Sequence, residues 1–119
     1  MRVLFVDDDP VLLQAYTFVF GRMDLDVELA ESIEEALDVL EARPVDVLVC
    51  DYDLGAGRRG TWLLEIAARR WPATRRLMIT GLVPNHDQLD AWSRLVERVL
   101  LKPWNPDEVV AAIVDPCDA

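Results

Sequence analysis

The chain has 119 residues, 52% of them hydrophobic, which suffices for one domain with a real core and without disulfides or a structural metal. Its net charge of −10 argues against direct nucleic-acid binding, which needs clustered Lys and Arg. No apolar run reaches membrane-span length and the opening MRVLFVDDD is unlike a secretory signal, so a cytoplasmic domain without a membrane partner is expected.

Val3–Val6 is a compact β-branched and aromatic run that reads as a strand. Asp9-Pro10 then supplies an N-cap with Pro at the first helical position. Leu12, Leu13, Tyr16, Val19 and Phe20 follow at helical spacing, and Gly21 marks the stop. Val27–Ala30 alternates like an edge strand. Ser32-Ile33-Glu34-Glu35 forms a capping box, Ile33, Ala36, Leu37 and Leu40 make an apolar stripe, and Pro44 closes that helix. Val45–Cys50 is a second apolar strand; Cys50 within it and Cys117 near the end make a disulfide framework improbable. A Gly-rich loop over Asp51–Gly60 leads to a helix at Thr61–Trp71. Leu77–Ile79 reads as a strand, Gln88–Leu95 as a helix after Pro84, and Val96–Leu101 as a strand. Asn105-Pro106-Asp107-Glu108 opens the last helix, with acids where the helix dipole favours them.

Five strands alternating with five helices imply an α/β fold: a doubly wound parallel sheet covered by helices on both faces. The mostly apolar strands near Leu4 and Leu48 belong at the centre and the alternating one at an edge, as in the flavodoxin-like order 2-1-3-4-5. In such sheets ligands sit beyond the carboxyl ends of the strands, where the order reverses. The residues at those ends are Asp7, Asp8 and Asp9, then Asp51, Thr80 and Lys102. Two like charges about 4 Å apart repel by about 4 kcal/mol at an effective dielectric near 20. A hard divalent cation relieves that repulsion, and Mg²⁺ takes one or two carboxylates plus waters and a phosphate. With Lys102 as a fixed cation, the set suits phosphoryl transfer to a carboxylate.

Four motifs carry a resemblance: Val6-Asp7-Asp8-Asp9-Pro10, Leu48-Val49-Cys50-Asp51, Met78-Ile79-Thr80-Gly81 and Leu101-Lys102-Pro103-Trp104. Asp8, Asp51, Thr80 and Lys102 follow one another at intervals of 43, 29 and 22 residues. In these the chain resembles the response-regulator receiver family of two-component signalling, over essentially its whole length. The resemblance implies that Asp51 is the phosphoacceptor. It implies a Mg²⁺ site made by Asp51, by Asp8 directly, by Asp7 through water and by the backbone carbonyl of Asp53. Thr80 and Lys102 would bind phosphoryl oxygens, Asp9 would cap its helix, and Lys102-Pro103 would be cis. The phosphodonor would be a sensor histidine kinase or a phosphotransfer protein, and the output a downstream protein partner that the sequence does not name. The only chemistry implied is self-phosphorylation and autodephosphorylation at Asp51.

Two departures stand out. Gly55 occupies the place of a usual loop proline, and with Gly57 and Gly60 it makes the loop a candidate mobile segment. Val99 replaces the aromatic that, together with the hydroxyl residue (here Thr80), ordinarily forms the switch. Gly55–Gly60 has a phosphate-loop outline, but Thr61 stands where its lysine belongs. His86 reads as solvated, Arg58 and Arg59 as a solvated pair with steering of an anion or kinase as the alternative, and Trp62, Trp71 and Trp92 as packing residues, with exposure of one of them to a partner as the alternative. Asp51-Tyr52-Asp53 also resembles the DxD motif of haloacid-dehalogenase phosphatases, whose motif lies near the N-terminus of a larger, capped chain. A phosphorylation-independent docking module is the third reading. In each case residues 1–119 are expected to form one domain without an effector domain.

Overall fold

The computed structural model describes residues 1–115, so Cys117 lies outside the described part. Its elements run β1 (Arg2–Val6), α1 (Pro10–Phe20), β2 (Asp26–Ala30), α2 (Ile33–Ala42), β3 (Val47–Asp51), α3 (Gly60–Arg70), β4 (Arg75–Thr80), α4 (His86–Trp92), β5 (Arg98–Leu101) and α5 (Pro106–Val114). The five strands form one parallel sheet in the order β2-β1-β3-β4-β5. Among the described residues no helix is long and apolar enough to cross a membrane.

Successive side chains of β1 point to opposite faces of the sheet, and each face has its own core. Leu4 and Val6 join Leu48, Cys50 and Met78 under α2 and α3, with Trp92 closing one side. Val3 and Phe5 join Val49 and Leu77 under α1 and α5. There Phe5 stacks on Tyr16 at 4.6 Å, and Tyr16 in turn stacks on Trp104 at 5.1 Å. Every residue of β1 and β3 is buried, whereas β2 is mostly half-buried, as central and edge positions require. Burying one such large apolar side chain stabilises the fold by about 1.5–3 kcal/mol.

The register matters more for function than the core does. Val6 lies beside both Ala30 and Cys50, and Thr80 lies beside Leu101. The strands therefore end level, and Asp7, Asp51, Thr80 and Lys102 emerge along one edge.

Several boundaries differ from the sequence reading. β3 starts at Val47 because Asp46 is used outside the strand: its carboxylate accepts from the Arg2 amide at 2.6 Å. β4 starts at Arg75 rather than Leu77, and β5 at Arg98 rather than Val96. α4 spans His86–Trp92 because Asn85 caps it, exchanging bonds with Gln88 in a reciprocal capping box. At α2, Ser32 accepts from the Glu35 amide at 3.1 Å, but the Glu35 carboxylate turns back to the Glu31 amide, so that box is only half made. His86 is exposed, as read. Of these three tryptophans, Trp92 is buried and Trp71 is half-buried, while Trp62 is the exposed one.

Candidate functional site

Asp7 and Asp8 follow β1 directly, and Asp51 is the last residue of β3. One carboxylate oxygen from each lies within 4.8 Å of the other two. Asp7 and Asp51 are buried and Asp8 is exposed. Asp9 is not in this cluster; it caps α1, accepting from the Val11 amide at 2.9 Å.

Each buried carboxylate is anchored. Asp7 Oδ1 accepts from the Asp9 amide at 3.0 Å, and its Oδ2 faces the Tyr16 hydroxyl at 3.5 Å. Asp51 Oδ1 accepts from the Asp53 amide at 3.2 Å, and Oδ2 accepts from Lys102 Nζ at 2.7 Å. Lys102 follows β5, and its peptide bond to Pro103 is cis.

The charges are unbalanced. Burial pushes the Asp7 carboxyl up to about 6, the negative charges of Asp51 and Asp8 add to this, and the Asp9 amide and Lys102 counter it in part. Burial works against the Lys102 ammonium, but the bond to Asp51 and the surrounding carboxylates outweigh it and raise its pKa. Burial and the adjacent Asp7 also push the Tyr16 phenol upward, so it remains a donor. Burial, with Asp51 and Asp7 nearby, likewise holds Cys50 as a thiol, whose Sγ donates to the Asp51 carbonyl at 3.3 Å. Three close carboxylates faced by one ammonium form a donor set that suits a hard divalent cation.

Thr80 is buried at the end of β4, and its hydroxyl accepts from the Leu82 amide at 2.9 Å. Val99 lies on β5 beside Met78, half-buried against the α2–α3 core. Asp53 is exposed just after Asp51, with its carboxylate accepting from the Gly55 amide at 3.0 Å.

The loop after Asp51 is a closed turn rather than an open segment. Leu54 donates to the Arg58 carbonyl at 3.0 Å, Arg58 donates to that of Gly55 at 2.9 Å, and Asp53 bridges antiparallel to Arg59. Gly55 sits at φ 77°, a region proline cannot reach, and an added Cβ there would fall 2.6 Å from Asp8 Oδ2. At Gly60 a Cβ would fall 2.1 Å from the Asp51 carbonyl oxygen, so only glycine lets α3 begin this close to β3.

One neighbour of the cluster escaped the sequence reading, and another entered it only as an alternative. Tyr16 appears there only as part of an apolar stripe, yet it supports Asp7. Arg59, for which steering of an anion is the alternative to a solvated reading, lines a 460 Å³ cavity with Asp51, Tyr52, Asp53, Thr80, Leu82 and Lys102.

A family model described as the response regulator receiver domain matches residues 3–114. The hydrogenase transcriptional regulatory protein HoxA of Cupriavidus necator is 30% identical over 116 residues, covering 93% of this chain and 23% of HoxA. The acid tolerance regulatory protein ActR of Sinorhizobium medicae is 30% identical over 112 residues, covering 94% of this chain and 57% of ActR. The chain thus spans about a quarter to about half the length of these two relatives. A receiver domain protein (CheY-like) from Methanospirillum hungatei superimposes with a TM-score of 0.85 at 27% identity, covering 94% of this chain and 89% of that one. None of this favours the phosphatase or the phosphorylation-independent reading, and the chain belongs to the response regulator receiver domain family, the phosphoacceptor switch of two-component systems.

Proposed function

We propose that Asp51 is the residue that takes the phosphoryl group, with a Mg²⁺ ion held by Asp7, Asp8, Asp51 and the backbone carbonyl of Asp53. The observation that carries this reading is the buried Asp51 carboxylate, held at 2.7 Å by Lys102 within a cluster of acids. When bound, the ion would supply charge neutralisation for the incoming phosphoryl oxygens and the crowded carboxylates.

The chain's own residues do the rest. The amide of Asp53 and the ammonium of Lys102 fix both oxygens of Asp51, so the nucleophile is oriented before a donor arrives. A carboxylate oxygen of Asp51 forms the new bond to phosphorus while the bond from phosphorus to the donor's nitrogen or oxygen breaks. The electron pair leaves with the donor, and no proton has to leave Asp51. Lys102 then faces a phosphoryl oxygen as well as Asp51. Thr80, whose hydroxyl now meets Leu82, would turn to another phosphoryl oxygen and so report the event, with Val99 at the second switch position.

Receiver domains are phosphorylated by histidine kinases. For this chain the donor is proposed to be a sensor histidine kinase or a phosphotransfer protein, and hydrolysis of the acyl phosphate at Asp51 resets the switch. Residues 1–119 would act as one receiver unit on a downstream protein. Incubation with acetyl phosphate and Mg²⁺ followed by intact-mass analysis tests the assignment. One added phosphoryl group, absent in Asp51→Asn, is the expected result. Labelling that persists in that variant, or steady turnover of a phosphate ester without labelling, would overturn it.

A further inference from the structure

We infer that Arg59 binds the phosphodonor: its guanidinium is placed to hold the phosphoryl oxygens of an incoming acyl phosphate or phosphorylated imidazole while Asp51 attacks. This rests on Asp51 being the acceptor and adds a donor-binding residue to that site.

The backbone sets the position of Arg59. Gly60 packs its Cα against the Asp51 carbonyl, and its amide donates to the Tyr52 carbonyl at 2.6 Å. Arg59 immediately before it is bridged to Asp53 across the turn. It occupies the N-cap position of α3, where a guanidinium, having no acceptor, cannot cap the helix. The side chain instead leans over Tyr52, 5.5 Å from the ring centre, along the wall of the cavity that holds Asp51 and Lys102.

Of the two cations in that cavity, Lys102 is committed to Asp51 at 2.7 Å. Arg59 is the less committed one. Its ion partner is Asp53 at 3.6 Å, beyond good hydrogen-bond length, and both side chains are substantially exposed, at 42% and 68%. Such a pair contributes on the order of 1 kcal/mol or less. A phosphoryl group offers a guanidinium charge-assisted bonds in a matching fork, which are stronger. A donor entering the 460 Å³ cavity therefore draws Arg59 away from Asp53 with little loss. Arg58 is different: it points away to Glu34, at 2.6 Å, and does not line the cavity.

In the transfer itself the Asp51 oxygen–phosphorus bond forms and the bond from phosphorus to the donor breaks; acetate departs with the electron pair, or neutral imidazole from a phosphorylated ring whose second nitrogen already carries a proton. Arg59 exchanges no proton.

The test is the rate of Asp51 labelling against acetyl phosphate concentration at saturating Mg²⁺, for the parent chain, Arg59→Ala, Arg59→Lys and Arg58→Ala. The half-saturating concentration should rise at least roughly threefold in Arg59→Ala with the plateau rate kept within about twofold. Arg59→Lys should fall between, and Arg58→Ala should match the parent. A purely structural role for Arg59 would lower the melting temperature or the Mg²⁺ response and leave the half-saturating concentration alone. That result overturns the proposal, as does an equal effect from Arg58→Ala, which would indicate general charge steering. Absence of labelling in the parent chain would instead bring down the acceptor assignment, and this proposal with it.

Discussion

Lys102, from the end of the fifth strand, lies 2.7 Å from Asp51 at the end of the third, joining two strands that are not neighbours in the sheet. The ammonium bridges over β4 to hold a carboxylate that is only 5% exposed. Lys102→Met should leave that charge facing Asp7 and Asp8 and slow labelling of Asp51 by acetyl phosphate roughly tenfold or more. Tenfold corresponds to about 1.4 kcal/mol of transition-state stabilisation. Single-turnover labelling followed by mass analysis checks it, and a rate within about twofold of the parent's would remove Lys102 from the phosphoryl-binding set.

Asp7 makes metal-free stability depend on pH in an unusual direction. Its carboxyl is raised from an ordinary 3.8 to about 6, so between those values the folded chain binds the proton more tightly than the unfolded chain does. Stability then falls as pH rises through that window, opposite to a salt-bridged aspartate. Asp7→Asn removes this loss. In chelator, urea unfolding should show its advantage over the parent growing from pH 4 to pH 7. An advantage that is flat or shrinking over that range would show that the crowded carboxylates do not act as described.

Gly55 and Gly57 both lie at positive φ, 77° and 76°, but only Gly55 touches the acidic cluster. Alanine at either site pays a backbone cost of about 1–2 kcal/mol. At Gly55 the new Cβ would also strike Asp8 Oδ2, whereas nothing lies within 4 Å at Gly57. Mg²⁺ binding to the folded chain should raise the parent's melting temperature, because ligand bound only to the native state adds stability with concentration. Gly55→Ala and Asp8→Asn should both blunt that rise, while Gly57→Ala should lower the starting stability and keep the rise whole. Equal Mg²⁺ responses in both alanine variants would count against Asp8 as a ligand.

The parts of this fold that were readable are those with a local cause. β1 and β3 are continuous apolar runs, Asp9-Pro10 and Asn105-Pro106 are helix starts, and the carboxylates fall where runs end. Arg75 and Arg76 were not readable as strand, because nothing local says that two arginines will be covered. Arg75 donates to the carbonyls of Ala112 and Ile113 at the end of α5 and pairs with Glu97, while Arg76 donates to the Leu95 carbonyl. Those partners lie about 19 to 38 residues away, beyond any periodicity. Tyr16 escaped for the same reason, since a helical stripe acquires a role only once Asp7 lies beside it, and nothing local separates Arg59, which lines the cavity, from Arg58, which does not.

The proposed output route starts at Thr80 and is limited by Val99. In the receiver family the hydroxyl residue moves toward the phosphoryl group and an aromatic on the fifth strand fills the space behind it. Here the Thr80 hydroxyl is already engaged, accepting from the Leu82 amide at 2.9 Å, and the following residues Leu82 and Val83 are 44% and 74% exposed. Turning Thr80 to a phosphoryl oxygen breaks that bond and frees the segment leading to Asn85, which caps α4. Val99 is short and stiff at χ1 and half-buried against the core, so it has little contact to exchange between states. The beryllofluoride complex should therefore displace Gly81–Asn85 and speed amide exchange at Leu82, with Val99 keeping its rotamer. Thr80→Val should still be labelled at Asp51, more slowly, but should lose the loop response. Methyl NMR of Val99 and amide exchange across Gly81–Asn85 measure the two sides directly. A rotamer change at Val99 exceeding any shift in that segment would place the switch on the fifth strand instead.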